Sequence, residues 1–277
     1  MSTSIWREDH HGAPDALPHP SNRSGGPGRT TAMSPKRLPP AWQDAEVLTV
    51  ITQNEETATL RLRLPDPAGF LAGQYYNVRL PVAGRPRQVQ RAYSIGSSPR
   101  PDPSVIELTV KRMEGGLVSP LLVDEIPVGS SLAVRGPYGS FTWKEGQGGP
   151  LLLIAAGSGV VPLVAIARLA ESAGADTTMQ LLFCSKSYDT VIYRDEIARL
   201  CDRAWFETVH TFTRSPHDLR AAFHRRIDRP MIQAALADRP LPRLAYLCGP
   251  PTMVDTCRFD LVALGMDPDQ IRTEKYD

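Results

Sequence analysis

The sequence predicts two folded domains in series, an antiparallel β-barrel followed by an α/β domain with a doubly wound parallel sheet. Three observations carry that expectation. Apolar and polar side chains alternate with a period of two through residues 41–145. At about residue 150 the pattern changes to unbroken apolar runs that alternate with helical stretches, and 277 residues are enough for two cores.

Residues 1–40 hold seven prolines, four glycines, five serines and three threonines, 19 of 40, with few large apolar side chains, so this segment is expected to be disordered. It lacks the apolar stretch of a secretory signal, and Asp9 and Asp15 do not suit an organelle transit peptide. His10, His11 and His19 are too loosely spaced for a metal site, and none is expected.

Within 41–145, Leu60, Leu62 and Leu64 alternate with Arg61 and Arg63, and Ile106, Leu108 and Val110 alternate with Glu107, Thr109 and Lys111. Tyr76, Val78 and Leu80 repeat the pattern. Turn signals at Gln53-Asn54-Glu55, Asp66-Pro67, Ala83-Gly84, Arg100-Pro101-Asp102 and Val128-Gly129 break these runs at the spacing of a small barrel or sandwich.

From 149 to 277 strand and helix alternate. Leu151–Ala156 reads as a strand buried on both faces, followed by a glycine turn and a helix. Met179–Cys184, Trp205–Phe212 and Leu244–Cys248 are the next strands, and Tyr193–Leu200, Pro230–Ala237 and Pro251–Leu264 the helices, the last with Pro at its start and Gly265 past its end.

Composition removes several function classes. With 31 Lys+Arg against 30 Asp+Glu the formal charge is +1, so no global field draws in nucleic acid or an anionic membrane. No run approaches the roughly 18 consecutive apolar residues of a membrane span. Cys184, Cys201, Cys248 and Cys257 contain no C-x-x-C pair, which argues against an iron–sulfur cluster here. A soluble cytoplasmic protein is the expectation.

In Arg91-Ala92-Tyr93-Ser94, alternation puts Arg91 and Tyr93 on one strand face and Ser94 on the other. A guanidinium can grip a pyrophosphate through charge-assisted bonds of roughly 1.5–3 kcal/mol each, and a tyrosine ring can lie against a flat heterocycle. Taken alone, the tetrapeptide reads first as an Arg and a Tyr on an exposed strand face. Gly115-Gly116-Leu117-Val118-Ser119 then offers backbone N–H groups that an anion can reach. Gly136-Pro137-Tyr138-Gly139 closes the β region, and Gly157-Ser158-Gly159-Val160-Val161-Pro162 opens the α/β region. A strand-to-helix turn wants glycine for conformational reasons alone, so the order of the pieces says more than any one of them.

In that order, together with Cys248-Gly249-Pro250-Pro251 and the terminal Arg272-Thr273-Glu274-Lys275-Tyr276, the chain resembles the ferredoxin–NADP reductase superfamily. The match is to compact bacterial oxidoreductases with an FAD-binding barrel before a nicotinamide-binding domain, over roughly residues 42–277. The resemblance implies that Arg91 and Ser119 hold the FAD pyrophosphate beside the backbone of Gly116, that Tyr93 stacks on the isoalloxazine, and that Ser94 sits near flavin N5. It implies that Gly157 and Gly159 let the backbone approach the nicotinamide nucleotide and that Cys248 lies beside the nicotinamide ring. Without it, Cys248 reads as a small buried hydrophobe, the reading kept for Cys184, Cys201 and Cys257.

The end of the second α/β strand bears on nucleotide choice, because an acid there suits the ribose hydroxyls of NAD and a cation suits a 2′-phosphate. It reads Cys184-Ser185-Lys186-Ser187, where the family commonly has arginine at the position of Lys186. Arg214 and Arg225-Arg226 add cations, so NADP is favoured over NAD. His210, His217 and His224 recur every seventh residue, which fits no metal site, and receive no role.

At the terminus, Tyr276 either shields the flavin or frays, and Glu274 is a candidate proton carrier. The implied activity is hydride transfer from NAD(P)H to FAD, then single-electron transfer to a separate acceptor protein, a ferredoxin first and an oxygenase or haem component next. Arg85, Arg87 and Arg91, near the flavin, could attract an acidic ferredoxin, although exposed arginines such as Arg85 and Arg87 read equally as plain surface. Two alternatives stay open, a reductase of diffusible flavin and a non-catalytic nucleotide-sensing subunit of the same fold.

Overall fold

The computed structural model describes residues 39–237 and 239–276. His10, His11, His19 and nearly all of the expected disordered segment therefore lie outside the described residues.

The first sheet has six antiparallel strands: β1 (Gln43–Asn54), β2 (Thr57–Arg63), β3 (Tyr75–Leu80), β4 (Val89–Ser94), β5 (Val105–Lys111) and β6 (Ser131–Tyr138). Their spatial order is β4-β3-β6-β1-β2-β5. The two edges meet, since Ile95 just past β4 bridges Leu108 of β5 and the Gly96 N–H donates to the Glu107 carbonyl at 2.7 Å. That contact closes the sheet into a barrel. The alternating residues Leu60, Leu62, Val78, Ile106, Leu108 and Val134 fill its interior. β1 and β2 join through the two-residue turn Glu55-Glu56, one step beyond the Gln53-Asn54-Glu55 turn expected from sequence.

The second sheet is parallel: β7 (Leu151–Ala156), β8 (Met179–Ser185), β9 (Phe206–Phe212), β10 (Leu244–Gly249) and β11 (Ile271–Lys275), ordered β11-β10-β7-β8-β9. Helices α1 (Val160–Ala173), α2 (Arg194–Cys201), α3 (Arg229–Leu236) and α4 (Pro251–Ala263) connect them. Side chains alternate between faces. Leu151, Leu153, Leu181, Phe183 and Tyr246 pack with α1 and α2, while Leu152, Ile154, Leu182, Ala245 and Leu247 pack with α3 and α4. The strand order reverses between β7 and β10, and crevices beyond the carboxyl ends of strands at such a reversal are where doubly wound sheets bind ligands.

Three local signals place the helices. Gly174 ends α1 in the left-handed region at φ 59°. Asp228 caps α3 by accepting from the Met231 N–H at 3.1 Å, and Pro251 opens α4. In the barrel, β1 and β6 have no expected counterpart, whereas in the parallel sheet and its helices the expected elements lie within two residues of the observed ones. β11 is the exception, because Ile271–Lys275 is an edge strand of mostly polar residues and carries no apolar periodicity.

Pro39–Asp277 form one compact unit, and its seam is polar. From α1, Arg168 makes a two-pronged bond to Glu196 of α2 at 2.8 and 2.6 Å while its Nη1 reaches Glu107 of β5 at 2.8 Å and the Gly96 carbonyl at 2.7 Å. Its guanidinium also lies 4.8 Å from the centre of the Tyr193 ring. Tyr193, expected as the first residue of a helix, instead precedes α2 in the left-handed region at φ 59°. That conformation turns its hydroxyl to Thr109 at 2.5 Å, and Thr109 meets Thr59 at 2.7 Å. Gln53 completes a ring of four residues across the seam, donating to Thr59 at 3.0 Å and accepting from the Tyr193 N–H at 3.2 Å. The segment after β6 adds an apolar contact, with Phe141 and Trp143 packed in the core of the second sheet.

Replacing Arg168 by Met would leave Glu107 with no ion-pair partner among the described residues and Glu196 with only Arg199, 3.8 Å away. Loss of one member of such a partly buried cluster is expected to cost about 3 kcal/mol, which for a chain of this size lowers the thermal midpoint by roughly 6–12 °C. Circular dichroism melting checks it, and a shift below about 2 °C would mean that the seam does not depend on Arg168.

Candidate functional site

Barrel and parallel sheet jointly wall a cleft of about 220 Å³. From the barrel come Arg91, Tyr93, Ser94, Thr109, Lys111, Gly116 and Ser119, and from the other side Ser158, Val161, Cys248 and Tyr276. Ser94, which alternation puts on the opposite strand face from Arg91 and Tyr93, nevertheless lines the cleft together with them at the end of β4.

The barrel wall has the chemistry of an anion cradle beside an aromatic plate. The side chain of Arg91 donates to the Gln90 carbonyl at 2.8 Å, and it forms no ion pair among the described residues. The Ser119 hydroxyl accepts from the Met113 N–H at 3.0 Å, which leaves its own hydrogen to donate. Gly116 must be glycine, since a methyl group there would stand 2.9 Å from both the Met113 carbonyl oxygen and Ser119 Oγ. Tyr93 packs on the barrel core, and burial pushes its phenol up to about 12, so the ring stays neutral. The structure thus fits the pyrophosphate and ring of a dinucleotide: a free guanidinium, a free hydroxyl and a close backbone approach surround one end, and a neutral aromatic lies at the other.

Across the cleft, the turn after β7 and the end of β10 meet at the reversal of strand order. A methyl group on Gly159 would lie 2.1 Å from the Cys248 carbonyl oxygen, so Gly159 is required by backbone packing. Gly157 is the turn residue with φ +53°. Burial drives the Cys248 thiol well above its ordinary value, with the Glu274 carboxylate adding to the effect, and it stays protonated. Glu274 pairs in register with Cys248 across β10 and β11, one strand behind the cleft wall. Burial raises its carboxyl from 4.5 to about 7, and its Oε2 has no hydrogen-bond partner among the described residues.

Tyr276 does not fray. Its hydroxyl accepts from the Gly159 N–H at 2.8 Å and donates to the Ala156 carbonyl, which folds the chain end over the glycine turn. The Gly159 N–H, on the turn expected to approach the nucleotide, is engaged by Tyr276. Lys186, at the end of β8, donates to both Glu56 oxygens at 2.5 and 2.7 Å. Arg214 is exposed and stands beside it, its backbone N–H bonded to the Lys186 carbonyl at 2.8 Å. Arg225 is paired with Asp228 at 2.6 Å, and Arg85 and Arg87 are exposed in the loop between β3 and β4.

The cysteine reading is corrected in part. Cys201, read as a small buried hydrophobe, is exposed where α2 ends and Cys184 is only half-buried, whereas Cys257 is buried as expected. Thr109, Lys111 and Glu56 did not emerge from sequence reasoning. Thr109 and Lys111 occur as ordinary members of an alternating strand, and Glu56 as an ordinary turn acid, so no local signal distinguishes them.

Comparison with known proteins agrees with this geometry. The oxidoreductase FAD-binding domain family matches residues 44–143, and the oxidoreductase NAD-binding domain family matches residues 153–258. Ferredoxin–NADP reductase B of Sorangium cellulosum is 35% identical over 216 residues, which cover 75% of this chain and 86% of that protein. The chain belongs to the ferredoxin–NADP reductase superfamily.

Some relatives are longer. The reductase component of propane 2-monooxygenase from Rhodococcus jostii is 31% identical over 250 residues, 83% of this chain and 64% of that protein, so the chain spans less than two thirds of that relative. Among solved structures, the ferredoxin reductase in carbazole 1,9a-dioxygenase superposes with a TM-score of 0.73 at 29% identity, covering 87% of this chain and 71% of that one. A ferredoxin NADP+ reductase from Neisseria gonorrhoeae with bound FAD and NADP shares the fold, with a TM-score of 0.72 at 22% identity, covering 84% and 98% respectively. No helix among the described residues is long and apolar enough to cross a membrane, and no group of His, Cys, Asp or Glu among them could hold a metal ion.

In this superfamily member the contact between Gly159 and Cys248 aligns the two cleft-forming turns. Gly159→Ala is expected to destabilise the protein by about 3 kcal/mol, because the clash is with backbone. Gly146→Ala, where a methyl group meets nothing within 4 Å, is expected to be neutral or slightly stabilising. Urea unfolding midpoints compare the two, and equal midpoints would contradict the packing role.

Proposed function

We propose that the protein is an NAD(P)H-dependent flavoprotein reductase that receives a hydride at FAD in the cleft and delivers electrons to a separate protein. The observation that carries this reading is the joint construction of the cleft: a dinucleotide cradle on the barrel faces the reversal point of a nucleotide-binding sheet. When bound, FAD supplies the conversion of two-electron hydride chemistry into single-electron transfer.

The residues divide the work of holding the reactants. Arg91 and Ser119 bind the FAD pyrophosphate next to Gly116, Tyr93 supports the isoalloxazine face, and Ser94 offers a hydroxyl near N5. Gly157 gives the turn its shape, and Cys248 presents a neutral, compact wall to the nicotinamide. Such walls matter because a near-attack separation of about 3–3.5 Å accounts for a large part of the rate. Lys186 and Arg214 face the adenosine end of the nucleotide. Tyr276 covers the glycine turn and gives way when the nucleotide enters. Glu274 exchanges a proton with the site through the wall that Cys248 forms.

The acceptor is read from chemistry and kinship. Relatives named as reductase components of monooxygenases support an oxygenase system, and those named ferredoxin reductases support a ferredoxin as the immediate partner. Exposed Arg85 and Arg87 would complement an acidic ferredoxin.

Anaerobic mixing with NADH and with NADPH tests the activity. The desalted protein is expected to remain yellow and to lose its flavin absorbance on mixing with at least one of the two. Bleaching by neither would overturn the reductase reading, and loss of FAD on desalting would favour a reductase of diffusible flavin.

Glu274 gives a second test. With its carboxyl raised to about 7, flavin reduction is expected to show an inflection near that pH, absent in Glu274→Gln. The raised value also means that the native state disfavours the ionised form. The resulting cost is absent below 4.5, grows as pH rises and is complete above about 7, so Glu274→Gln should stabilise the fold more at pH 8 than at pH 4. A variant that keeps the inflection would remove Glu274 from proton exchange.

A further inference from the structure

The carboxyl end of β8 carries a charge arrangement that neither flavin binding nor hydride transfer requires. Glu56, on the tip of the β1–β2 hairpin, reaches across the seam from the barrel. Lys186 donates to both its oxygens at 2.5 and 2.7 Å, and Lys111 Nζ stands 3.6 Å from Oε2. The hairpin tip is fixed in place. The Glu56 carbonyl accepts from the Arg112 N–H at 2.7 Å, its own N–H donates to Asn54 Oδ1 at 3.0 Å, and Asn54 Nδ2 donates to the Thr190 carbonyl at 3.3 Å in the second sheet's domain.

This acid is continuous with the cleft. Lys111 lines the cleft, and a methyl group on Gly157 would lie 3.9 Å from its ammonium. Hydrogen bonding from Lys186 holds the Glu56 carboxyl below its ordinary value, so it is ionised at neutral pH.

Sheets of this kind present the end of the second strand to the adenosine ribose, where an acid accepts from a free 2′-hydroxyl and a cation receives a 2′-phosphate. By sequence that position holds a cation, Lys186. By structure it holds a cation already engaged by an acid from another domain. An incoming 2′-phosphate would meet the Glu56 carboxylate next to the lysine it needs, and a free hydroxyl would not be repelled.

We propose that Glu56, delivered to Lys186 by the barrel hairpin, is a specificity-determining residue that favours NADH over NADPH. The inference rests on the reading that Lys186 and Arg214 face the adenosine ribose, and it reverses the preference for NADP that the β8 sequence suggests. With Glu56 neutral, Lys186, Lys111 and Arg214 are the neighbouring cations left to meet a 2′-phosphate.

Titration calorimetry of the FAD-loaded protein with NAD+ and NADP+ tests this directly. The wild type is expected to bind NAD+ more tightly. In Glu56→Gln the ratio Kd(NADP+)/Kd(NAD+) should fall by about tenfold or more, most at low ionic strength where charge is least screened. Glu56→Ser, a second neutral variant, should do the same, and Glu56→Asp should retain the wild-type preference. Adding Lys186→Met to Glu56→Gln should abolish the gain.

A ratio within twofold of wild type in both neutral variants would overturn the role of Glu56, as would an equal fall in Glu56→Asp. A gain that survives Lys186→Met would instead overturn the placement of the ribose at β8. If neither nucleotide binds any of these proteins, the reductase reading itself fails and the inference with it. Retained FAD and the melting temperature of each variant report that it is folded.

Discussion

Arg168 is the residue on which the geometry of the cleft depends. It sits on the first helix of the parallel-sheet domain, yet its hydrogen bonds end on the barrel's Glu107 and Gly96 as well as on Glu196 of its own domain. Gly96 and Glu107 are also partners in the contact that closes the barrel. One guanidinium therefore joins barrel closure, domain orientation and the position of α1. Because five donors in a fixed fork meet three acceptors of different elements, neither domain can rotate without breaking a charge-assisted bond. The ring of Gln53, Thr59, Thr109 and Tyr193 adds a second, uncharged restraint nearby, and Thr109 itself belongs to the cleft wall.

A cleft shared by two domains lets each wall specialise. The barrel wall is cationic where a pyrophosphate would lie and aromatic where a ring would lie. The opposite wall is compact, with glycines and a neutral cysteine at the points where backbones approach. The near-zero net charge of +1 conceals this arrangement, because what matters is which cations lack partners. Arg91 and Arg214 form no ion pair among the described residues, whereas Lys186 and Arg225 have carboxylates within 2.6 Å. Two cations that look equivalent in sequence thus differ in what they can offer a phosphate.

The fold was legible because its signals are local. Alternation in residues 57–63 and 105–111 gives barrel strands, and the run from Leu151 to Ala156 gives a strand buried on both faces. Motif order supplied the cleft residues Arg91, Tyr93, Gly116, Ser119 and Cys248, all of which the structure brings together. What stayed hidden depends on contacts between distant residues. Nothing around Tyr193 marks the left-handed conformation that brings its hydroxyl to Thr109 in the other domain. Nothing around Glu56 marks a partner for Lys186, 130 residues away. The anchoring of Tyr276 across the glycine turn likewise spans 117 residues and could not be read from a motif at the chain end.

The central claim is that the two walls hold nicotinamide and flavin face to face in one fixed arrangement. A nicotinamide held between two different walls presents only one side of C4 to the flavin. Primary deuterium isotope effects on anaerobic flavin reduction, measured with the reduced nucleotide labelled at either C4 hydrogen, test this most directly. The account predicts a substantial effect for one label and almost none for the other, while equal effects, or none for either, would contradict it.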